Sequence, residues 1–126
     1  MLQFYRCISC GNFVVFLEEK GRCTPKCCGE EMEEIVPNSL DASQEKHVPD
    51  VTVDGDKVKV NVGTAPHPMA PEHFIMWVIL ETDKGFQKKD LKPGDDPVAT
   101  FVLTDGEKPV TAYAFCNQHG LWKKDL

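Results

Sequence analysis

The sequence has little that would place the protein in a membrane or on a nucleic acid. Its longest unbroken apolar run, residues 74–80, has seven residues, whereas a helix needs about 20 to cross a bilayer. Positive charge is scarce, with 14 Lys and Arg against 20 Asp and Glu and a net charge of −6. We therefore expect neither a membrane nor a nucleic acid as partner. The first six residues lack the pattern of a secretion signal, so we expect a cytoplasmic protein.

Helical periodicity is also missing. No stretch of ten or more residues repeats apolar positions at helical spacing, whereas several short stretches alternate as strands do. In residues 57–62, Val58, Val60 and Val62 face one way, and the Asp54-Gly55 pair before them predicts a hairpin. Further strands are predicted at 51–53, 74–80, 98–103 and 110–116. Short strands between glycine and proline turns predict an all-β fold, with an immunoglobulin-like β-sandwich as its larger part.

The 126 residues are enough for two small domains. Residues 1–36, with strands predicted at 12–19 and 33–36, form the first. A piece of about 36 residues cannot bury enough apolar surface to fold unaided, so it needs a metal, disulfides or a partner chain. The polar stretch 37–44 is a predicted linker, and residues 45–126 form the predicted sandwich domain.

Four of the six cysteines form a candidate metal site. Cys7 and Cys10 have the CxxC spacing with which two sulfurs bind one ion, and Cys27 and Cys28 supply a second pair. Four thiolates suit zinc or a single iron, and the sequence leaves that choice open. Adjacent cysteines can share one ion only if the backbone turns between them, which Gly29 permits.

Two alternatives accompany this interpretation. Disulfides could cross-link the small domain instead, although a reducing compartment disfavours them. Cys23 is spaced so that it could compete as a ligand, but a free thiol is the simpler interpretation.

The second candidate site gathers all four histidines of the chain and one cysteine. Each histidine lies in a predicted loop beside Pro or Gly, near the end of a predicted strand, and loops at one end of a sandwich converge. Cys116 and His119 also form a CxxH, a recurrent metal-ligand spacing. A Cys–His pair could instead serve a hydrolase as nucleophile and base, but no acyl-transfer motif accompanies it. The candidate ligands are His47, His67, His73, Cys116 and His119.

Together these motifs resemble the desulfoferrodoxin family, the two-iron form of superoxide reductase. The resemblance rests on CxxCG at 7–11, CCG at 27–29, EKHVP at 45–49, HPM at 67–69, EH at 72–73, LKPGD at 91–95 and CNxHGLW at 116–122. It implies a desulforedoxin-like domain with an Fe(Cys)4 centre on Cys7, Cys10, Cys27 and Cys28. It also implies a sandwich domain whose iron has four equatorial histidines, His47, His67, His73 and His119, and an axial Cys116. Cys23 is not part of the family pattern.

The resemblance further implies an enzyme that reduces superoxide by one electron to hydrogen peroxide without releasing oxygen, for superoxide detoxification. Lys46 is implied to attract superoxide, and Glu45 to occupy the open position of the ferric iron, although alone they would be an ordinary solvated pair. A rubredoxin-like electron donor and a homodimer are implied as well. A non-enzymatic zinc- or iron-binding interaction module and a dismutase are the alternatives.

Overall fold

The computed structural model describes residues 2–18, 21 and 23–126. The chain divides into two compact units, Met1–Val36 and Pro37–Leu126. Within the described residues, no helix is both long and apolar enough to cross a membrane.

The first unit consists of short antiparallel strands. The central strand of its three-stranded sheet is flanked on both sides, and two further strands form a separate hairpin. In chain order the strands are β1 (Phe4–Arg6), β2 (Phe13–Val15), β3 (Lys26–Cys27), β4 (Glu30–Glu31) and β5 (Glu33–Ile35), and the sheet order is β2-β1-β5.

The second unit is a sandwich of two antiparallel sheets, entered through one helical turn, α1 (Gln44–His47). The sheet orders are β10-β7-β6 and β12-β11-β8-β9. A three-stranded and a four-stranded sheet connected in this order give an immunoglobulin-like sandwich, so the predicted fold class is confirmed. The strands are β6 (Pro49–Asp54), β7 (Lys57–Val62), β8 (Ile75–Thr82), β9 (Gly85–Asp90), β10 (Val98–Val102), β11 (Pro109–Cys116) and β12 (Gly120–Asp125).

Alternation along the strands determines which side chains enter the core between the sheets. Val58, Val60 and Val62 are fully buried, whereas Lys57 and Lys59 between them are exposed. Each buried side chain of this size stabilises the fold by about 1.5–3 kcal/mol. The hairpin predicted before these residues is present, because β6 and β7 pair antiparallel across a two-residue turn.

Strand register brings the predicted ligand loops to one end of this sandwich. Pro49 at the start of β6 pairs with Val62 at the end of β7. Cys116 at the end of β11 pairs with Ile75 at the start of β8 and with Gly120 at the start of β12. Each of these positions adjoins a segment that bears a histidine. The turn at 55–56 and the loop at 104–108 lie at the opposite end.

Several elements differ from the sequence expectation. Strand β2 ends at Val15, short of the predicted 12–19 strand, whose last residue lies outside the described residues. Strands β9 and β12 were not predicted, because both lie at a sheet edge, where charged residues replace the clear alternation of an inner strand. Within the predicted linker, Asn38 hydrogen bonds to the Lys123 backbone of β12.

Candidate metal centres

Two turns bring four cysteine sulfurs together in the first unit. Cys7 and Cys10 flank a tight turn after β1, closed by a 2.9 Å hydrogen bond from the Gly11 N–H to the Cys7 carbonyl. The sulfur of Cys27 lies 3.5 Å from that of Cys10 and 4.0 Å from that of Cys28. All four sulfurs lie within 4.8 Å of one another, which is the convergence that one metal ion requires.

The adjacent cysteines can face one ion because the backbone reverses between them. Cys28 has a φ of 56° and Gly29 a φ of 77°, and these two residues form the loop between β3 and β4. Two successive positive φ angles are the signature of a type I′ hairpin turn. The turn that the sequence required at this point is therefore present.

The four thiols influence one another's ionisation. The pKa of Cys7 is lowered to about 7, chiefly by the backbone N–H of Cys10, whose nitrogen lies 3.4 Å from the sulfur. The pKa of Cys28 is raised to about 12, chiefly by the Cys10 thiol, and the same neighbour raises the pKa of Cys27. Thiols this close can all ionise only with a cation among them, so the group fits a bound metal ion.

Cys23 lies apart from this group. All six cysteines are free thiols, so the disulfide alternative is wrong for this structure. The side chain of Cys23 is exposed, and its sulfur is not among the four that converge.

The second group lies at the loop-bearing end of the sandwich described above. The Nε2 atom of His47 is 3.1 Å from Nε2 of His67 and 3.1 Å from Nδ1 of His119. The sulfur of Cys116 is 3.9 Å from Nδ1 of His119. One ligand atom from each of the five predicted residues, including His73, lies within 4.8 Å of all the others.

Backbone carbonyls determine which ring nitrogen faces the group. Nδ1 of His47 donates to the Ser43 carbonyl at 2.6 Å, and Nδ1 of His67 donates to the Pro68 carbonyl at 2.7 Å. Since a carbonyl can only accept, both rings carry their proton on Nδ1 and present an unprotonated Nε2. Nε2 of His73 is buried and has no hydrogen-bond partner among the described residues, as expected of a nitrogen that binds a metal ion.

Burial keeps the rings in the form that binds metal. Desolvation lowers the pKa of His67 to about 4 and also lowers the pKa values of His47 and His73. Neutral imidazole is the ligand form of histidine. Burial raises the pKa of Cys116, while a backbone N–H from His119, 3.3 Å from the sulfur, favours its thiolate.

Glu45 and Lys46 lie on α1 directly before His47, and both are exposed. The charge of Lys46 contributes to the lowered pKa values of His47 and His73, so it acts on two candidate ligands. The carboxylate of Glu45 lies outside the group of five ligand atoms.

One aromatic residue of the site had no assigned role in the sequence analysis. The ring of Trp122 stacks on that of His47, and its Nε1–H donates to the His119 carbonyl at 3.0 Å. The signal that could have identified it is its position three residues after His119, within CNxHGLW.

The two donor sets fit two iron centres. Four thiolates suit a single iron ion, and four imidazoles with one thiolate suit a redox-active iron. The fold and both sites thus define a non-haem iron protein with a cysteine-ligated centre in the first unit and a histidine-rich centre in the second.

Comparison with known proteins agrees with this class. The family model "Desulfoferrodoxin" matches residues 39–125, and "Desulfoferrodoxin, N-terminal domain" matches residues 1–35. The chain is 43% identical over 127 residues to a desulfoferrodoxin of Clostridium acetobutylicum, covering 99% of this chain and 97% of that protein. It is 41% identical over 123 residues to a desulfoferrodoxin homolog of Archaeoglobus fulgidus, covering 98% and 96%. The chain therefore belongs to the desulfoferrodoxin family.

Among solved structures, the chain is similar to the superoxide reductase from Treponema pallidum. The TM-score is 0.86 at 38% sequence identity, and the match covers 99% of each chain. The similarity therefore extends over both units.

Proposed function

We propose that this protein reduces superoxide to hydrogen peroxide at the site of His47, His67, His73, Cys116 and His119. The observation that carries the proposal is the convergence of their ligand atoms within 4.8 Å. The chain is an oxidoreductase that acts on superoxide, in keeping with its family and its similarity to a superoxide reductase over 99% of its length.

The reaction consumes one superoxide, one electron and two protons and yields one hydrogen peroxide, with no oxygen released. Iron held by these five residues would supply the single electron, which zinc could not, and five protein donors would leave room for a small anion to bind. Cys116 is the one anionic donor of the set. Its burial shields the thiolate from water, and the His119 N–H helps to stabilise its charge.

Lys46 is proposed to attract the substrate. Because the protein carries a net charge of −6, attraction of an anion has to be local. The ammonium of Lys46 is exposed, adjoins His47 and acts on two of the rings. It can also orient water that delivers protons to the product. Glu45, the preceding residue, is proposed as a carboxylate that would approach such an iron once product had left.

The cysteine centre is proposed to belong to a domain of residues 1–36 and the histidine centre to a domain of residues 45–126. A stabilising role is sufficient for the first, because so small a unit needs an ion to fold. A rubredoxin-like protein is proposed to supply electrons, and the chain is proposed to form a homodimer. Six free cysteines fit the reducing cytoplasm, which we propose as its location.

Metal content and product stoichiometry test the assignment. The purified protein is expected to hold about two irons per chain and to show visible charge-transfer colour. Given an electron donor, it should produce peroxide without evolving oxygen. Oxygen release would identify a dismutase, and a colourless zinc protein would support the interaction module instead.

The role of Lys46 is tested by Lys46→Ala. The rate of reaction with superoxide should fall by about tenfold, because a local attractive charge raises association rates by this order. Its dependence on ionic strength should weaken as well. Lys57→Ala is the matched control, since Lys57 begins β7 at the opposite end of the sandwich. An unaltered rate for the Lys46 variant would remove this residue from the mechanism.

A further inference from the structure

The side chain of Asn117 bridges the peptide groups on both sides of His73. Its Oδ1 accepts a 2.9 Å hydrogen bond from the Phe74 N–H, and its Nδ2 donates to the Glu72 carbonyl at 3.1 Å. The backbone N–H of Asn117 also donates to the Phe74 carbonyl at 3.2 Å. We propose that Asn117 is a positioning residue that directs His73 towards the metal site.

His73 depends on such bonds because it lies outside the long strands. It precedes β8 and forms an isolated bridge with Ala70, in which each residue's N–H donates to the other's carbonyl at 3.0 Å. With the two bonds from the Asn117 side chain, the peptide groups before and after His73 are all engaged. Fixing these groups fixes the backbone angles of His73, and with them the direction of its Cβ and ring.

Among the described residues, no hydrogen bond anchors the ring of His73, which packs edge to face against the rings of His67 and His119. His47 and His67 are each anchored by a bond from Nδ1 to a nearby carbonyl. For His73, Nε2 is buried without a hydrogen-bond partner among the described residues, and we take it as the ligand atom. The direction of this ring therefore depends on the backbone that Asn117 holds, together with its packing against the other imidazoles.

The same bridge joins two ligand-bearing segments. Asn117 directly follows Cys116, and its bonds cross to the segment of His73, 44 residues earlier in the chain. Gln118 adds a one-sided bond, from Nε2 to the Glu72 carbonyl at 2.7 Å. Asn117 thus sets the spacing between the thiolate and one imidazole without being a ligand itself.

The chain supplies a matched control in Asn38. Its side chain also makes two hydrogen bonds to backbone, donating to the Lys123 carbonyl at 3.3 Å and accepting from the Lys123 N–H at 2.9 Å. Asn38 lies in the same unit as Asn117. Replacing either one with alanine removes the same kinds of bond, and at Asn38, whose φ is 59°, it also strains the backbone, but only Asn117 holds a ligand segment.

The inference rests on the proposed function only in taking His73 as an iron ligand, and iron binding is measured without superoxide. The iron affinity of the second centre is determined by competition with a ferrous chelator, followed by that centre's visible absorption. Asn117→Ala should weaken it by about 10–100-fold, as is typical when a partner that orients a ligand is lost. Asn38→Ala should leave it within about twofold of the parent.

Asn117→Asp keeps the acceptor for the Phe74 N–H but sets a carboxylate oxygen against the Glu72 carbonyl oxygen in place of the donor, so its affinity should also fall below that of the parent. The iron affinity of Asn117→Asp tests the inference if Asn117→Ala fails to fold. Parent-like affinity in the Asn117 variants, or an equal loss in Asn38→Ala, would overturn the inference. A parent protein that binds iron but does not reduce superoxide would overturn only the proposed function.

Discussion

The indole ring of Trp122 stacks on the imidazole ring of His47, with ring centroids 5.0 Å apart and an angle of 27° between the planes. The same indole donates a hydrogen bond to the carbonyl of His119. Trp122 is 1% exposed, so its ring cannot move without repacking the core. One buried side chain therefore restrains two of the candidate ligands.

Trp122→Phe should lower the free energy of unfolding by about 1–3 kcal/mol. An aromatic ring is kept, but the His119 carbonyl, a part-buried acceptor, loses its donor. Denaturant unfolding of the iron-loaded protein measures the change, and a shift in the absorption of the second centre should accompany it. Trp77→Phe is the control, because Trp77 stacks on Phe115 rather than on a ligand. An unchanged spectrum for Trp122→Phe would contradict a restraining role.

Cys116→Ser should abolish superoxide reduction while the absorption of the first centre persists. The variant removes the one thiolate of the second group, and the four cysteines of the first group belong to the other unit. Steady-state assays and visible spectra measure both effects. Turnover equal to that of the parent would show that Cys116 is not a ligand.

Cys23→Ala should leave both irons in place and turnover unchanged. The thiol of Cys23 is exposed and is not one of the four that converge. Iron analysis with visible spectroscopy measures the result. Loss of the first iron would show that the wrong four thiols had been assigned.

Gly63→Ala should displace the turn that carries His47. A Cβ at Gly63 would lie 2.6 Å from the Glu45 carbonyl oxygen and 2.8 Å from that of Val48, and both are backbone atoms that cannot rotate away. Such overpacking costs about 1–3 kcal/mol of stability. Thermal unfolding and iron affinity should both decrease.

Gly21→Ala is the matched control for this substitution, because no atom lies within 4 Å of a Cβ at that position. Its effect should stay within about 0.5 kcal/mol. If the two variants behave alike, close packing of Gly63 against the turn is not what holds the turn in place.

Glu107→Gln should change the response of stability to acid. The Thr82 hydroxyl lowers the pKa of Glu107, aided by the backbone N–H and hydroxyl of Thr104. A lowered folded-state pKa stabilises the protein above the unfolded value of about 4.3, and this stabilisation is lost as pH falls through the folded value. The parent should therefore melt above the variant at pH 7, and the difference should shrink below about pH 4.

Thermal melts of both proteins at matched pH measure this difference. Iron release in acid affects them equally, because Glu107 lies in the 104–108 loop at the end of the sandwich away from the ligands. A difference that stays constant with pH would show that the charge of Glu107 does not matter.

Much of the architecture follows from local patterns. The valines of β7 alternate without interruption, and the hairpin before them has its Asp-Gly signal, so local chemistry is enough to predict both. Strands β9 and β12 were not predicted, because an edge strand does not need an apolar residue at every second position. Helix α1 is a single turn, which is too short for a helical repeat of apolar residues to be visible in the sequence.

The sequence by itself determined the identity of the donors, because four clustered cysteines and a set of histidines with one cysteine are chemical facts of the chain. Only the tertiary structure decided which nitrogen of each ring faces the site, and that Asn117 and Trp122 hold His73 and His119 in place. The physical reason is that these restraints are hydrogen bonds and ring contacts. Several join segments far apart in the chain, which only strand register and the packing of the two sheets bring together.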